Sequence, residues 1–126
     1  MSAGGNEKAR AVALEVLAAC SPGMEAAAVP VTATFRCWTP LGDWEQGEAG
    51  VAALRKVMRA YCARLSGDGQ LSPSAVITDG TEVVVEASIA GESGQLPVCV
   101  TLLLVLKSGL VDEVRCYVDP RAVGAS

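Results

Sequence analysis

Histidine is missing from all 126 positions of the sequence. Without an imidazole, Ser-His-Asp and Cys-His catalysis are excluded, and the commonest neutral metal ligand is gone. Acid–base chemistry falls to carboxylates, tyrosines, cysteines and lysines, and neither a metal nor a cofactor is expected. Positive charge is scarce as well. Ten Lys and Arg stand against fourteen Asp and Glu, giving a net charge of −4 and a pI near 4.7. Phosphate recognition needs clustered cations, so nucleic acid is not an expected partner. The nearest thing to a cluster is Arg55, Lys56, Arg59 and Arg64, whose spacing reads as the solvated face of a helix. Long apolar runs are absent too. The longest, residues 98–106, contains Thr101 and falls far short of the ~20 residues that span a bilayer. The opening MSAGGNEKAR is polar and has no secretory features. These absences predict a cytoplasmic protein with no membrane partner. The five cysteines show no C-x-x-C spacing and read as reduced thiols used as small apolar side chains.

What is present is a chain that is 51% hydrophobic, rich in Ala, Val and Gly. That is enough for one domain, residues 1–126, with a core that needs no metal or disulfide. Residues 7–20, EKARAVALEVLAAC, have the composition and spacing of a helix, which SPG at 21–23 stops. Residues 24–29 read either as a short second helix or as a connection ending before Pro30. VTATFRCW, 31–38, is β-branched and aromatic, a strand. TPLGDWEQGEAG is turn chemistry. VAALRKVMRAYCARL, 51–65, repeats apolar residues at helical spacing. Four strands follow, joined at Asp79-Gly80, by a longer loop over GESGQLP, and at Ser108-Gly109. Helices followed by a run of strands predict an α+β domain with the helices on one side of a curved antiparallel sheet.

The closing strand, LVDEVRCYVD, places Glu113, Arg115, Tyr117 and Asp119 on one face and Val114, Cys116 and Val118 on the other. With Ser108-Gly109 as a two-residue turn, counting outward sets Glu113 against Leu104, Arg115 against Leu102, Tyr117 against Val100 and Asp119 against Val98. Both faces of the hairpin are then largely apolar. One covers the core, and the other is most simply covered by a second subunit. Polar groups among apolar ones must pair or meet a ligand, since an unmet buried hydrogen-bonding group costs roughly 1–3 kcal/mol. Glu113 and Arg115 are close enough to pair along the strand. Asp119 precedes Pro120, which also suits a strand-ending turn.

These residues resemble a known family. GLVDEVRCYVDP, VVVEASIAG and WTPLGDWEQGEAGVAALRKVMRAY are similar to the SnoaL-like branch of the NTF2-like superfamily, and R-x-Y-x-D-P is the most specific part. The resemblance implies a cone: a strongly curved antiparallel sheet wrapped by N-terminal helices around an apolar pocket. It implies a homodimer through the outer sheet face. Relatives include polyketide cyclases, limonene-type epoxide hydrolases, ketosteroid isomerases and non-catalytic binding modules. In the cyclases and epoxide hydrolases an aspartate matching Asp119 is a pocket acid or base. The Arg-x-Asp pair of the hydrolases is replaced here by Ala87 and Ile89, and the cyclase histidine has no counterpart.

A carboxyl in a dry pocket has its pKa raised by up to ~3–5 units and can trade protons near neutral pH. Asp119 is the first candidate acid–base, with Glu86 and Asp43 as further carboxylates. Tyr117 or Tyr61 is placed to hydrogen-bond an enolate oxygen. Trp38 and Trp44 are candidate walls for a flat ligand, with Arg115 and Tyr61 as further binding residues. The expected function is a cofactor-free cyclase or isomerase acting on a small hydrophobic polyketide or terpenoid intermediate. The alternatives are a non-catalytic ligand-binding or dimerisation module, or an epoxide hydrolase with a rearranged carboxylate relay.

Overall fold

Two alanine-rich stretches form helices and five short stretches form strands, as their compositions suggest; a sixth strand, Glu45–Gln46, arises within the stretch that reads as a turn. The structure is a computed structural model that describes residues 3–20, 28–65, 71–89 and 100–118. Its elements run α1 (Ala3–Ala19), β1 (Val31–Trp38), β2 (Glu45–Gln46), α2 (Gly47–Leu65), β3 (Leu71–Thr78), β4 (Glu82–Ile89), β5 (Val100–Lys107) and β6 (Leu110–Tyr117). Both helices begin four residues before the apolar periodicity does. The alternative second helix at 24–29 falls largely outside the described residues.

The strands form one sheet in the order β2-β1-β6-β5-β4-β3. Every neighbouring pair is antiparallel except β1 and β6, which are parallel. The sheet is therefore mixed, which corrects the all-antiparallel expectation. Parallel neighbours need a crossover, and here everything from the turn after β1 through β5 supplies it. Nothing local to either strand announces a pairing across that distance.

Both helices cover the same side of the sheet. Ala9, Ala13, Val16, Leu17 and Cys20 of α1 and its end join Leu54, Val57, Met58 and Tyr61 of α2 over the inward residues of β1, β4, β5 and β6 in one buried cluster. The small side chains of α1 permit close approach to the sheet, while α2 supplies bulk. Gly50 is required where α2 begins. A Cβ there would lie 2.8 Å from the Glu45 carbonyl oxygen and 3.0 Å from the Phe35 ring.

The turns show their chemistry. Ser108 and Gly109 both have positive φ (54° and 80°), as a primed two-residue turn requires, and Lys107 pairs with Leu110 as expected. The other hairpin turns one residue later than Asp79-Gly80 suggests. The Asp79 N–H donates to the Glu82 carbonyl, so Gly80 (φ 99°) and Thr81 are central. The Asp79 carboxylate accepts the N–H groups of Thr81 and Glu82 at 2.8 and 2.9 Å, which holds its pKa below the usual value.

A further departure lies in β6. Pairing runs Lys107–Leu110 and Leu106–Val111, then jumps to Val105–Glu113, so Asp112 is an extra residue. A bulge breaks the alternation and leaves both Asp112 and Glu113 on the outer side. The Asp112 carboxylate accepts the hydroxyls of Thr32 and Thr34, each at 2.6 Å, which anchors the bulge to β1. Register shifts by one from there on. Glu113, Arg115 and Tyr117 stand opposite Val105, Leu103 and Thr101 rather than Leu104, Leu102 and Val100. The polar column lies on the sheet face away from the helices. Val100, Leu102, Leu104 and Leu106 face the core with Val111, Val114, Cys116 and Val118.

Candidate ligand-binding site

The parallel pairing of β1 with β6 puts Arg36 beside Glu113 and Trp38 beside Arg115 on the outer face. The turn leaving β1 brings a second tryptophan to the same place. Gly42 N–H bonds the Thr39 carbonyl at 3.3 Å, Thr39 is buried, and the Asp43 carboxylate accepts the Trp44 N–H at 2.8 Å. Asp43 is exposed and shapes its own turn.

Glu113 is the centre of the arrangement. One carboxylate oxygen accepts Nε and Nη2 of Arg36 at 2.9 and 2.7 Å, and the other accepts Nε of Arg115 at 3.1 Å. Its side chain is 13% exposed, whereas the two arginines are 47% and 42% exposed. Arg36 stacks over the Trp44 ring at 4.2 Å, and Arg115 lies 5.6 Å from the same ring. Trp38 and Tyr117 meet with centroids 5.6 Å apart and planes tilted by 41°. Hydrogen bonding to Tyr117 and to Glu113 raises the pKa of Arg115 above its usual value. Two guanidiniums against one carboxylate leave the cluster net positive. Between Trp38, Trp44, Arg115 and Tyr117 opens a cleft of about 320 Å³, within the range of small-molecule sites.

Four residues singled out from sequence thus line one cleft. The described ones among the others are elsewhere. Tyr61 is fully buried in the core. Glu86 is exposed on β4, on the same cross-sheet rung as Thr101 and Tyr117, two strand spacings, or roughly 9.6 Å, from the tyrosine. Asp119 lies outside the described residues. Arg36 was not foreseen, because its place depends on the parallel β1–β6 pairing. The Glu113–Arg115 pair was expected, with Arg36 an addition to it.

Asp112 has its pKa lowered, chiefly by the Thr32 and Thr34 hydroxyls, with smaller help from Lys107 and Arg36. The buried thiols go the other way. Burial pushes Cys20 to about 11 and Cys37 to about 12, and Cys116 rises further. All three are unpaired and buried, protonated at neutral pH and inert as nucleophiles.

The fold has many solved counterparts. A proposed SnoaL-like polyketide cyclase from Jannaschia sp. CCS1 superposes with a TM-score of 0.70 at 21% identity, over 93% of this chain and 89% of that one. A de novo designed protein with a curved β-sheet matches with a TM-score of 0.70 at 19% identity, covering 96% and 90%. A proposed ketosteroid isomerase from Kribbella flavida matches with a TM-score of 0.64 at 20% identity, covering 90% and 78%. This chain has the NTF2-like fold. No protein-family model matches the chain, and no curated protein matches it in sequence.

On this NTF2-like sheet the helix-facing side is occupied by large apolar groups. Phe35, Leu54, Met58, Tyr61, Leu102 and Leu104 are all fully buried there. The aromatic cleft opens on the opposite side, beside a stripe of Leu103, Val84 and Ile77 that continues across the sheet on the Trp38–Arg115 rung. Ile77 is 66% exposed. Among the described residues no helix is long and apolar enough to cross a membrane.

Proposed function

We propose that the protein binds a small, flat, hydrophobic molecule in the cleft of Trp38, Trp44, Arg115 and Tyr117, and moves a proton on it. In this reading it is a cofactor-free cyclase or isomerase acting on a polyketide or terpenoid intermediate. The observation that carries the proposal is the convergence of two indole rings, a phenol and a guanidinium on one concavity. The rings offer stacking surface. The fixed positive charge of Arg115 and the Tyr117 hydroxyl favour an oxygen that gains negative charge as an enolate forms. Asp119, two residues beyond Tyr117 in the sequence, is the candidate acid–base, and Glu86 and Asp43 take no part. NTF2-like neighbours named for polyketide cyclisation and steroid isomerisation support the reaction class.

A half-open cleft is a wet place for a carboxyl, so the proposal includes a second copy of the chain on the outer sheet face. The Ile77–Val84–Leu103 stripe is its apolar contact, and its arrival dries the cleft and raises the pKa of the acid. The second reading, a non-catalytic binding module, is favoured by a specific observation. Three described carboxylates at or beside the cleft already have partners within the protein: Glu113 meets two arginines, Asp112 accepts from two threonines, and Asp43 accepts from its own turn.

Deuterium wash-in separates the two. A flat enolisable aryl 1,3-diketone is incubated with the protein in D2O, with binding followed by tryptophan fluorescence. The proposal expects α-deuteration at least ~100-fold faster than in buffer, lost in Asp119→Asn while quenching persists. Quenching without exchange establishes the binding module. Undiminished exchange in Asp119→Asn removes that residue from the chemistry.

A further inference from the structure

A second concavity, on the other flank of β1, has no part in the cleft. It is a groove of about 680 Å³ between β1 and α2. Three consecutive strand residues, Val31, Thr32 and Ala33, line it. Consecutive strand side chains point to opposite faces, so a cavity touching all three runs along the strand's edge, against its backbone. The pairing agrees. β2 covers β1 only at Arg36 and Cys37, and among the described residues the rest of that edge has no strand beside it. The Pro30 carbonyl is turned toward β6, where it accepts the Val111 N–H at 2.8 Å. Alternation aims the backbone groups of Val31 and Ala33 the other way, along the groove.

The opposite wall is a stripe of α2 from Gly47 to Arg59. Twelve helical steps span roughly 18 Å, the length of about five residues of extended chain. Val29, Val31, Val51 and Ala52 make the apolar lining. Charge is graded along it: Glu48 stands at the start of α2, and Arg55, Lys56 and Arg59 line the far half. The helix face that reads from sequence as merely solvated is one wall of this trough.

We infer that the groove accepts an extended acidic–apolar peptide segment of another protein as an added strand on β1. Peptide backbone pairs with Val31 and Ala33, alternate apolar side chains enter between β1 and α2, and Asp or Glu side chains meet Arg55, Lys56 and Arg59. An open sheet edge beside a helix is a recurrent way to take up such a segment, with main-chain hydrogen bonds giving affinity and pockets giving specificity. On a chain of net charge −4, three cations on one groove wall select for negative charge.

The test is a displayed library of random twelve-residue peptides panned against the intact protein, with enriched peptides resynthesised and titrated. The expected result is a set alternating apolar residues with Asp or Glu. Their binding weakens at least about tenfold in Lys56→Glu and further in Lys56→Glu/Arg59→Glu, and is salt-sensitive. Amide exchange at Val31 and Ala33 slows about tenfold or more on binding. Circular dichroism confirms that the variants fold, and Lys56→Glu alone suffices if the double variant does not. A library that enriches nothing overturns the inference, as do peptides whose binding leaves those two amides unprotected. Dodecanoate filling the groove while no peptide does so also overturns it and makes the groove a site for small amphiphiles.

Discussion

The two faces of the sheet are built from the same strands by different physics. On the helix side, β1 and β6 offer Phe35, Cys37, Val114 and Cys116, all without measurable exposure. On the other side the same strands offer Arg36, Trp38, Glu113, Arg115 and Tyr117, none of them buried. The inner face is held by removal of apolar surface from water, which is non-directional and tolerant of composition. The outer face is held by directed contacts, in which one carboxylate organises two guanidiniums and the guanidiniums stack on an indole. The first arrangement tolerates shuffling among similar side chains. The second depends on each member.

The contrast is broken most severely from inside. Leu104→Ala removes a fully buried side chain and is expected to destabilise the fold by about 2–5 kcal/mol, measured by urea unfolding. A loss below 1 kcal/mol would show a core that collapses around the gap. Next comes Glu113→Gln, which leaves Arg36 and Arg115 facing each other without their shared anion. Because both arginines are nearly half exposed and screened by water, the loss is expected to be only about 1 kcal/mol. The sharper readout is Trp44 emission, which should shift as the stacked guanidiniums separate, and an unchanged spectrum would show that Glu113 does not position them. The smallest effect concerns Asp112. Its folded pKa is lowered, so its contribution to stability is present above the unfolded value of about 3.9 and is lost as pH falls through the folded value. Thr32→Val/Thr34→Val removes the chief cause, so the Asp112 carboxyl should titrate at higher pH by carbon-13 NMR and acid unfolding should begin at higher pH. An unmoved titration would assign the shift to Lys107 and Arg36.

Much of the inner face was legible in the sequence because its signals are local. Helical spacing in 51–65, alternation in β5 and the Ser108-Gly109 turn each depend on a few adjacent residues. The outer face was legible only in part. Trp38, Trp44, Arg115 and Tyr117 could be picked out as chemistry-bearing residues, but their meeting depends on β1 lying parallel to β6. The register of the last hairpin was misjudged by one residue for the same kind of reason. The stabilising partners of the Asp112 bulge are two threonines some eighty positions earlier. A turn-based count has no access to such a partner. Cys37 and Cys116 were read as small apolar fillers, and they are buried and unpaired, since burial of a thiol requires no partner to be found.

The Asp112 bulge also makes the last strand a counting device. Between Gly109 and Glu113 the chain has one residue more than its neighbour can pair, and that surplus decides which side chains meet the helices. A regular hairpin that absorbed the surplus into its pairing would exchange inside for outside: Val114 and Cys116 would go into water, and Glu113 and Arg115 would go against Leu104 and Leu102. The ion-paired aromatic cleft therefore exists because one aspartate stands out of step.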